Sequence, residues 1–370
     1  MGRALLERRQ FPHHKVCGEF LSPESQASLR ALGLYDTVAA LKPATMTQAH
    51  LFSRRGLRLQ VKLPGVAWGV SRFALDAALA LAAARAGAQV REGITATTVQ
   101  SITAGYEVAI RDGRGEPASV RGRAIAAACG RHPLPGLRPH TAEAHSRPTH
   151  VGVKCHYEGL VLPPEVRLYL FDGGYAGLCP IEDGRANVAL LVTQAAFARA
   201  GSVRAMIDMA ATLNPALSRD LIGGRALPES EVAVAPVDTG RPATPWDRFA
   251  RLGDGAVMIP PLCGDGMAMA LRAAELCDRL AHEFLRGERS LASWEANYRA
   301  SWHREFDRPI RLGRALQSLL GQPGLGDALL GVGVLLPPLS ARLVRATRAA
   351  PVAGVDSNDP PVILQIEDRR

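Results

Sequence analysis

Lysine is scarce in this sequence: of 44 basic residues only Lys15, Lys42, Lys62 and Lys154 are Lys, and the rest are Arg. A net charge of +9 would suit a phosphate backbone, but the arginines are scattered among 35 acids, the pattern of a solvated surface. Nucleic-acid binding is therefore set aside. The six cysteines (Cys17, Cys129, Cys155, Cys179, Cys263, Cys277) include no Cys-x-x-Cys pair and show no regular spacing, which argues against a disulfide frame or a thiolate metal site. Reduced thiols in a cytoplasmic protein are expected. His140, His145, His150 and His156 are completed by no Cys or carboxylate pattern, so no metal is expected. No signal peptide is expected, because the first residues carry charge with no apolar stretch behind them. No run reaches the ~20 uncharged residues of a spanning helix. The nearest, ALLGVGVLLPPLSA (Ala328 to Ala341), is interrupted by two prolines. It reads as a packed helix or as one resting peripherally on a membrane surface. Gly-x-Ser-x-Gly, Gly-x-x-x-x-Gly-Lys-Ser and Gly-x-Gly-x-x-Gly are all absent. The first two absences remove serine-hydrolase and P-loop chemistry.

What is present is a globular chain of 370 residues, 47% hydrophobic, long enough for two domains. LDAALALAAARAGAQV (Leu75 to Val90) predicts an Ala-rich helix capped by Gly87 and a strand at Gln89 to Arg91. Tyr106, Val108 and Ile110 alternate before a turn at Asp112-Gly113, and RAIAAACGRH reads as a buried parallel strand. The middle of the chain reads as antiparallel strands with turns at Asp172-Gly173-Gly174 and Glu182-Asp183-Gly184, with helix from about Gln194 to Leu221. From Phe249 a strand, a Pro/Gly loop and a helix from Gly266 to Arg286 follow. The simplest architecture is an α/β doubly wound domain in two parts, 1–148 and 241–350, with an antiparallel sheet domain inserted at 149–240. A loose tail covers 351–370.

Three segments could carry chemistry. In RLGDGAVMIPPLCGDGMAMALRAAELC (Arg251 to Cys277), Gly264 and Gly266 permit close approach of a ligand, and the helix behind them offers free N–H groups. Asp254 stands at the end of a strand, placed to accept from sugar-like hydroxyls, although an ordinary strand-turn-helix would look the same. Glu7, in ALLER, ends an apolar strand as the ribose-binding acid of dinucleotide folds does, but alone it reads as a surface residue. Arg72, in VSRFALD, precedes the Ala-rich helix where a pyrophosphate contact would sit.

In order and spacing, LLERRQFPHHKVCGEFLSPES, GVSRFALDAALALAAARAGAQV, IAAACGRH and the Gly-Asp loop-helix together resemble FAD-dependent oxidoreductases of the geranylgeranyl reductase-like group. That group lies within the superfamily of aromatic-ring hydroxylases and flavin halogenases. The resemblance implies a Rossmann-like FAD-binding domain of the glutathione-reductase type with an inserted substrate domain. It implies that Glu7 holds the adenosine ribose, that Cys17 and Gly18 lie along the flavin with Phe20 nearby, and that Arg72 contacts the pyrophosphate or ribityl region. Asp254 would bind ribityl hydroxyls, and Gly264, Gly266 and Met267 would bring the loop and its helix N–H groups to the pyrimidine end of the ring. NAD(P)H or another reductant would supply electrons.

Members of the group carry a strand, a Gly-x-Gly-x-x-Gly turn and a helix, about thirty residues, before the piece that reads ALLER. On that comparison the sequence lacks the first strand, and the chain as written is expected to bind FAD weakly. Either its start lies further upstream or it is a degenerate, non-catalytic copy.

Cofactor alone does not choose the reaction. Flavin halogenases carry Trp-x-Trp-x-x-Ile, and none of Trp68, Trp246, Trp294 or Trp302 has that neighbourhood. Where ring hydroxylases show an Asp-Gly pair, ACGRH places Cys129. The Lys15-Val16-Cys17-Gly18 loop favours the reductase branch, with Cys17 protonating a substrate carbon, although a buried structural thiol would look the same in sequence. Tyr169, Phe171, Tyr175 and Leu178 would line a pocket for a prenyl, polyketide or lipid-like molecule, unless they are plain core. Reduction of a C=C bond is the expected reaction, with FAD-dependent hydroxylation as the alternative.

Overall fold

The computed structural model describes residues 2–131, 150–322, 324–336 and 346. His140, His145, the stretch from Pro337 to Ala341 and the tail read at 351–370 lie outside the described residues. Strand β1 (Arg3–Glu7) is followed by β2 (Phe20–Leu21), helices α1 (Ser25–Ala31) and α2 (Tyr35–Ala39), and the long strands β3 (Ala44–Phe52) and β4 (Arg58–Gly69). Helix α3 (Arg72–Arg85) leads to β5 (Ala88–Glu92), the meander β6 (Thr95–Ile102), β7 (Gly105–Arg111) and β8 (Pro117–Gly122), and then β9 (Ala126–Ala127). The next strands are β10 (His150–Glu158), β11 (Glu165–Phe171), β12 (Gly174–Pro180) and β13 (Ala186–Thr193). Helices α4 (Gln194–Ala200), α5 (Val203–Leu213) and α6 (Pro215–Asp220) and strand β14 (Arg225–Val237) follow. The described chain closes with β15 (Trp246–Asp247), β16 (Phe249–Arg251), α7 (Gly266–Arg286), α8 (Leu291–Gly321) and α9 (Leu325–Leu335).

The local signals act as expected. Ser71 caps α3 by accepting from the Ala74 N–H, and Gly87 takes φ +86° to end that helix and launch β5. β5 pairs in parallel with β1, from Arg3 opposite Ala88 to Glu7 opposite Glu92. β16 pairs in parallel with β9, at Ala250–Ala126 and Arg251–Ala127. These two parallel pairs sit in separate sheets.

An eight-stranded sheet, ordered β14-β10-β13-β12-β11-β3-β4-β2, forms the other half of the molecule. It is not confined to residues 149–240: β2, β3 and β4 come from the first part of the chain, and β3 joins β11 in parallel from Gln48–Glu165 to Phe52–Tyr169. A partner more than a hundred residues away leaves no mark on the local pattern of β3. One face of the sheet packs Tyr169, Phe171, Leu178 and Val188 against α4, α5 and α6. The other faces α7, α8 and α9 across a cavity. On α8, Trp294, Tyr298, Trp302 and Phe306 recur every fourth residue and are buried against Met269, Ala273, Cys277 and Leu280 of α7. Each such side chain contributes about 1.5–3 kcal/mol by leaving water, which fixes α7 behind the loop that precedes it.

Where β4 ends, the chain crosses β12 closely. A Cβ on Gly69 would lie 1.8 Å from the Pro180 carbonyl oxygen and 2.9 Å from its carbon. Both atoms are backbone, so neither can rotate away. Gly69→Ala is expected to cost about 3 kcal/mol of stability, read as a lowered denaturant midpoint. An unchanged midpoint would show that the crossing is looser than this.

Candidate functional site

The loop Val16-Cys17-Gly18-Glu19 is tied down at each step. The Val16 carbonyl accepts from Arg131 at 3.4 Å and the Cys17 carbonyl from the Asn187 side chain at 2.9 Å. The Glu19 N–H donates to the Cys17 sulfur at 3.4 Å, and the Glu19 carbonyl accepts from the Val70 N–H at 3.1 Å. Gly18 is exposed, with nothing within 4 Å of where its Cβ would be. Beyond the loop, Phe20 is buried on β2 and its ring lies 3.2 Å from the Cβ position of Gly264, which has φ +66°.

Asp254 sits in the tight turn after β16, with its carbonyl accepting from Arg241 at 2.9 Å. Gly253 has φ +53°, and a Cβ there would lie 3.2 Å from the Ala270 Cβ of α7. The start of α7 is not capped by Asp265, whose carboxylate instead accepts from Ser22 at 2.6 Å. The first-turn N–H groups at Gly266 and Met267 therefore remain available beside the loop, at the positive end of the helix dipole. Arg72 opens α3 with a two-pronged bond to Asp76, at 2.6 and 2.8 Å. Glu182 holds that helix start by accepting from the Ser71 N–H at 2.8 Å.

Cys17, Gly18, Phe20, Arg72, Asp254, Gly264, Gly266 and Met267 all lie on the wall of one cavity of about 650 Å³. Glu7 does not. Its carboxylate turns back to the Arg9 N–H at 2.9 Å and reaches the cavity wall only through Lys15, 3.9 Å away, which itself sits 2.9 Å from Asp76. Burial pushes the Cys17 thiol above its ordinary value, with Arg72 beside it pulling the other way. Burial also raises the Asp254 carboxyl, opposed by Arg131, Arg72 and Arg241. Arg131 and Glu19 line this wall too and escaped the sequence analysis. For Arg131 the available signal was its place two residues after Cys129.

Away from these groups the wall is apolar, and here the expected aromatic lining needs correcting. Of Tyr169, Phe171, Tyr175 and Leu178, only Tyr175 faces the cavity. The other three point to the opposite face of the sheet, against α4–α6. Neighbouring residues of a strand alternate faces, so Val166 and Leu168 of β11 line the cavity where Tyr169 and Phe171 do not. Leu59, Val61 and Leu63 of β4 complete that wall, with Leu320 of α8 and Leu330 of α9 opposite.

No family model matches the chain. It is 26% identical over 282 residues to digeranylgeranylglycerophospholipid reductase 2 of Methanopyrus kandleri, covering 72% of this chain and 68% of that protein. The same organism's digeranylgeranylglycerophospholipid reductase 1 is 25% identical over 284 residues, 74% and 73% of the two chains. Among solved structures, a geranylgeranyl bacteriochlorophyll reductase-like protein of Thermoplasma acidophilum superposes with a TM-score of 0.73 at 18% identity, covering 94% of this chain and 89% of the other. A flavoprotein/dehydrogenase of Cytophaga hutchinsonii gives 0.73 at 18% identity, over 87% and 81%. The flavin-dependent brominase Bmp2 gives 0.75 at 15% identity, over 94% and 87%.

The residues present fit the flavin end of FAD. A helix start without a side-chain cap, glycines at 264 and 266, and a carboxylate at the strand end converge on one wall with a thiol facing them. Glu7, which the resemblance assigns to the adenosine end, lies outside the cavity wall. Fold and sequence agree: the chain has the fold of the FAD-dependent oxidoreductases and resembles, in sequence, the geranylgeranyl-type reductases among them.

Proposed function

We propose that the protein is an FAD-dependent reductase that saturates C=C bonds in a hydrophobic molecule, with a prenyl lipid as the best-fitting class and polyketide or other lipid-like molecules as neighbours of it. The observation that carries this reading is the continuity of the cavity. One wall holds Cys17, Asp254 and the α7 start, and the same space runs on between Leu59, Val61, Val166 and Leu168 towards α8 and α9. A long apolar chain gains about 0.8 kcal/mol for each methylene it buries there, and the walls offer few polar groups to hold anything else. The relatives are reductases of geranylgeranylated glycerophospholipids, which supports the substrate class.

FAD, when bound, supplies the hydride. The second hydrogen has to arrive as a proton, and the position of Cys17 on the cavity wall supports that role for its thiol. Burial keeps the thiol protonated at neutral pH, and the Glu19 N–H holds its sulfur in place. The leucine and valine lining keeps that side of the cavity apolar, which suits a hydrophobic chain rather than a polar substrate. Among the described residues no single helix is long and apolar enough to cross a membrane. The end of α9 nevertheless exposes Val332, Val334, Leu335 (79%) and Leu336, while Leu329, Val332 and Gly333 line the cavity. A peripheral contact with a membrane at α9 belongs to this proposal.

The test is an anaerobic incubation of the FAD-loaded protein, reduced with dithionite, with a geranylgeranylated glycerophospholipid in micelles or vesicles. Mass spectrometry should show the lipid gaining two hydrogens per double bond. Unchanged lipid in the presence of bound, reduced flavin would overturn the reading. A gain of oxygen instead, in air with NAD(P)H, would establish the hydroxylase alternative.

A further inference from the structure

Along β10, Val151, Val153, Cys155 and Tyr157 pack on the helix-covered face of the sheet. By alternation Gly152, Lys154 and His156 point the other way, under the Val16–Glu19 loop. Gly152 makes room for it, since a Cβ there would lie 2.9 Å from Val16. Lys154 and His156 are almost completely buried, as is Glu19, and three buried ionisable groups persist only when they satisfy one another. They do. The Lys154 ammonium donates to one Glu19 oxygen at 2.6 Å, and His156 Nε2 lies 2.6 Å from the other and 2.7 Å from the ammonium. The Arg72 N–H adds a third bond to the carboxylate, at 3.0 Å. Burial works against ionisation, but His156 and Lys154 outweigh it and keep the Glu19 carboxyl below its usual range.

The proposed reaction assigns these three side chains no step, yet they meet at a residue with an unusual backbone. Glu19 has φ +55°, the left-handed region that a side chain with a Cβ avoids. In that conformation its side chain runs inward to Lys154 and His156 while its N–H meets the Cys17 sulfur. We propose that Glu19, Lys154 and His156 are positioning residues for Cys17: the clamped carboxylate holds residue 19 left-handed, and that conformation aims its N–H at the sulfur. The inference deepens the proposed function by giving the buried cluster a task at the proton-donating thiol.

The matched pair Glu19→Gly with Lys154→Met and Glu19→Ala with Lys154→Met isolates the backbone. Both remove the same charges, and only glycine tolerates a positive φ without the clamp. Arg72 and Arg131, the other charged groups near the sulfur, are the same in both. Alkylation of Cys17 by iodoacetamide, followed on its peptide by mass spectrometry across a pH series, reports how far the N–H favours the thiolate. The Gly variant is expected to react about tenfold faster than the Ala variant near neutral pH. Equal rates in two folded variants would overturn the proposal. If that pair does not fold, His156→Gln, which keeps a donor for the carboxylate, should react like the parent chain and His156→Leu more slowly. Equal rates there would be just as fatal. The assay needs neither FAD nor lipid, so its failure is distinguishable from failure of the reductase reading.

Discussion

Cys17→Ala is expected to slow double-bond reduction by about a hundredfold, the effect of removing a positioned proton donor, while flavin binding and KM for the lipid stay within about twofold. The sulfur lies on the same cavity wall as Asp254 and the α7 start, held by the Glu19 N–H. Burial lifts its pKa above the ordinary 9.0, against the opposing pull of Arg72, so at neutral pH the thiol is protonated, as the proposed reaction requires. The sign of the pH dependence follows. The rate should be level while the thiol is protonated and fall as pH rises through its raised pKa, whereas a rate limited by flavin reduction would not show that limb. Single-turnover oxidation of the reduced protein by lipid separates the two. A Cys17→Ala variant that turns over at the parent rate would reduce Cys17 to a structural thiol, and the proton would then have to come from water or from Tyr175.

The second large effect is expected on the cofactor itself. Asp254→Ala should weaken FAD binding by about thirtyfold, roughly 2 kcal/mol, measured by quenching of flavin fluorescence on titration. Asp254 stands at the end of β16 with Gly253 and Gly255 on either side and Arg241 holding its backbone, so its carboxylate is presented to the cavity by a rigid turn. Asp254→Asn should retain most of the affinity, because an amide oxygen still accepts from a hydroxyl. If alanine and aspartate bind FAD equally, the carboxylate faces the cavity without touching the cofactor. Glu7 provides a contrast. It lies outside the cavity wall, and Glu7→Gln should change affinity by much less than Asp254→Ala if the flavin end dominates binding.

The sequence by itself determined the elements whose signals are local. Alanine density and Gly87 mark the body of α3, which starts at Arg72 rather than at Leu75, and Gly264, Gly266 and the run behind them mark α7 at Gly266–Arg286. The antiparallel strands from His150 to Pro180 and the helices between Gln194 and Asp220 follow from period and turn chemistry in the same way. The residues named at loop-to-helix junctions, Asp254, Gly264, Gly266 and Met267, come together on one cavity wall, although in sequence an ordinary strand-turn-helix would look the same. Tertiary structure alone decided what depends on distant pairing. Strand alternation sets Tyr169 and Leu168 on opposite faces, and the packing of α4–α6 on one side decides that Leu168 meets the cavity and Tyr169 the core. The parallel pairing of β3 with β11 enlarged the sheet with residues read as part of another domain. Glu19 is separated from Lys154 and His156 by more than 130 residues of chain, and nothing near Glu19 announces a left-handed acid. Contacts closed over such distances are specified by the whole fold, since each strand's own pattern is compatible with several partners and only one arrangement buries all of them together.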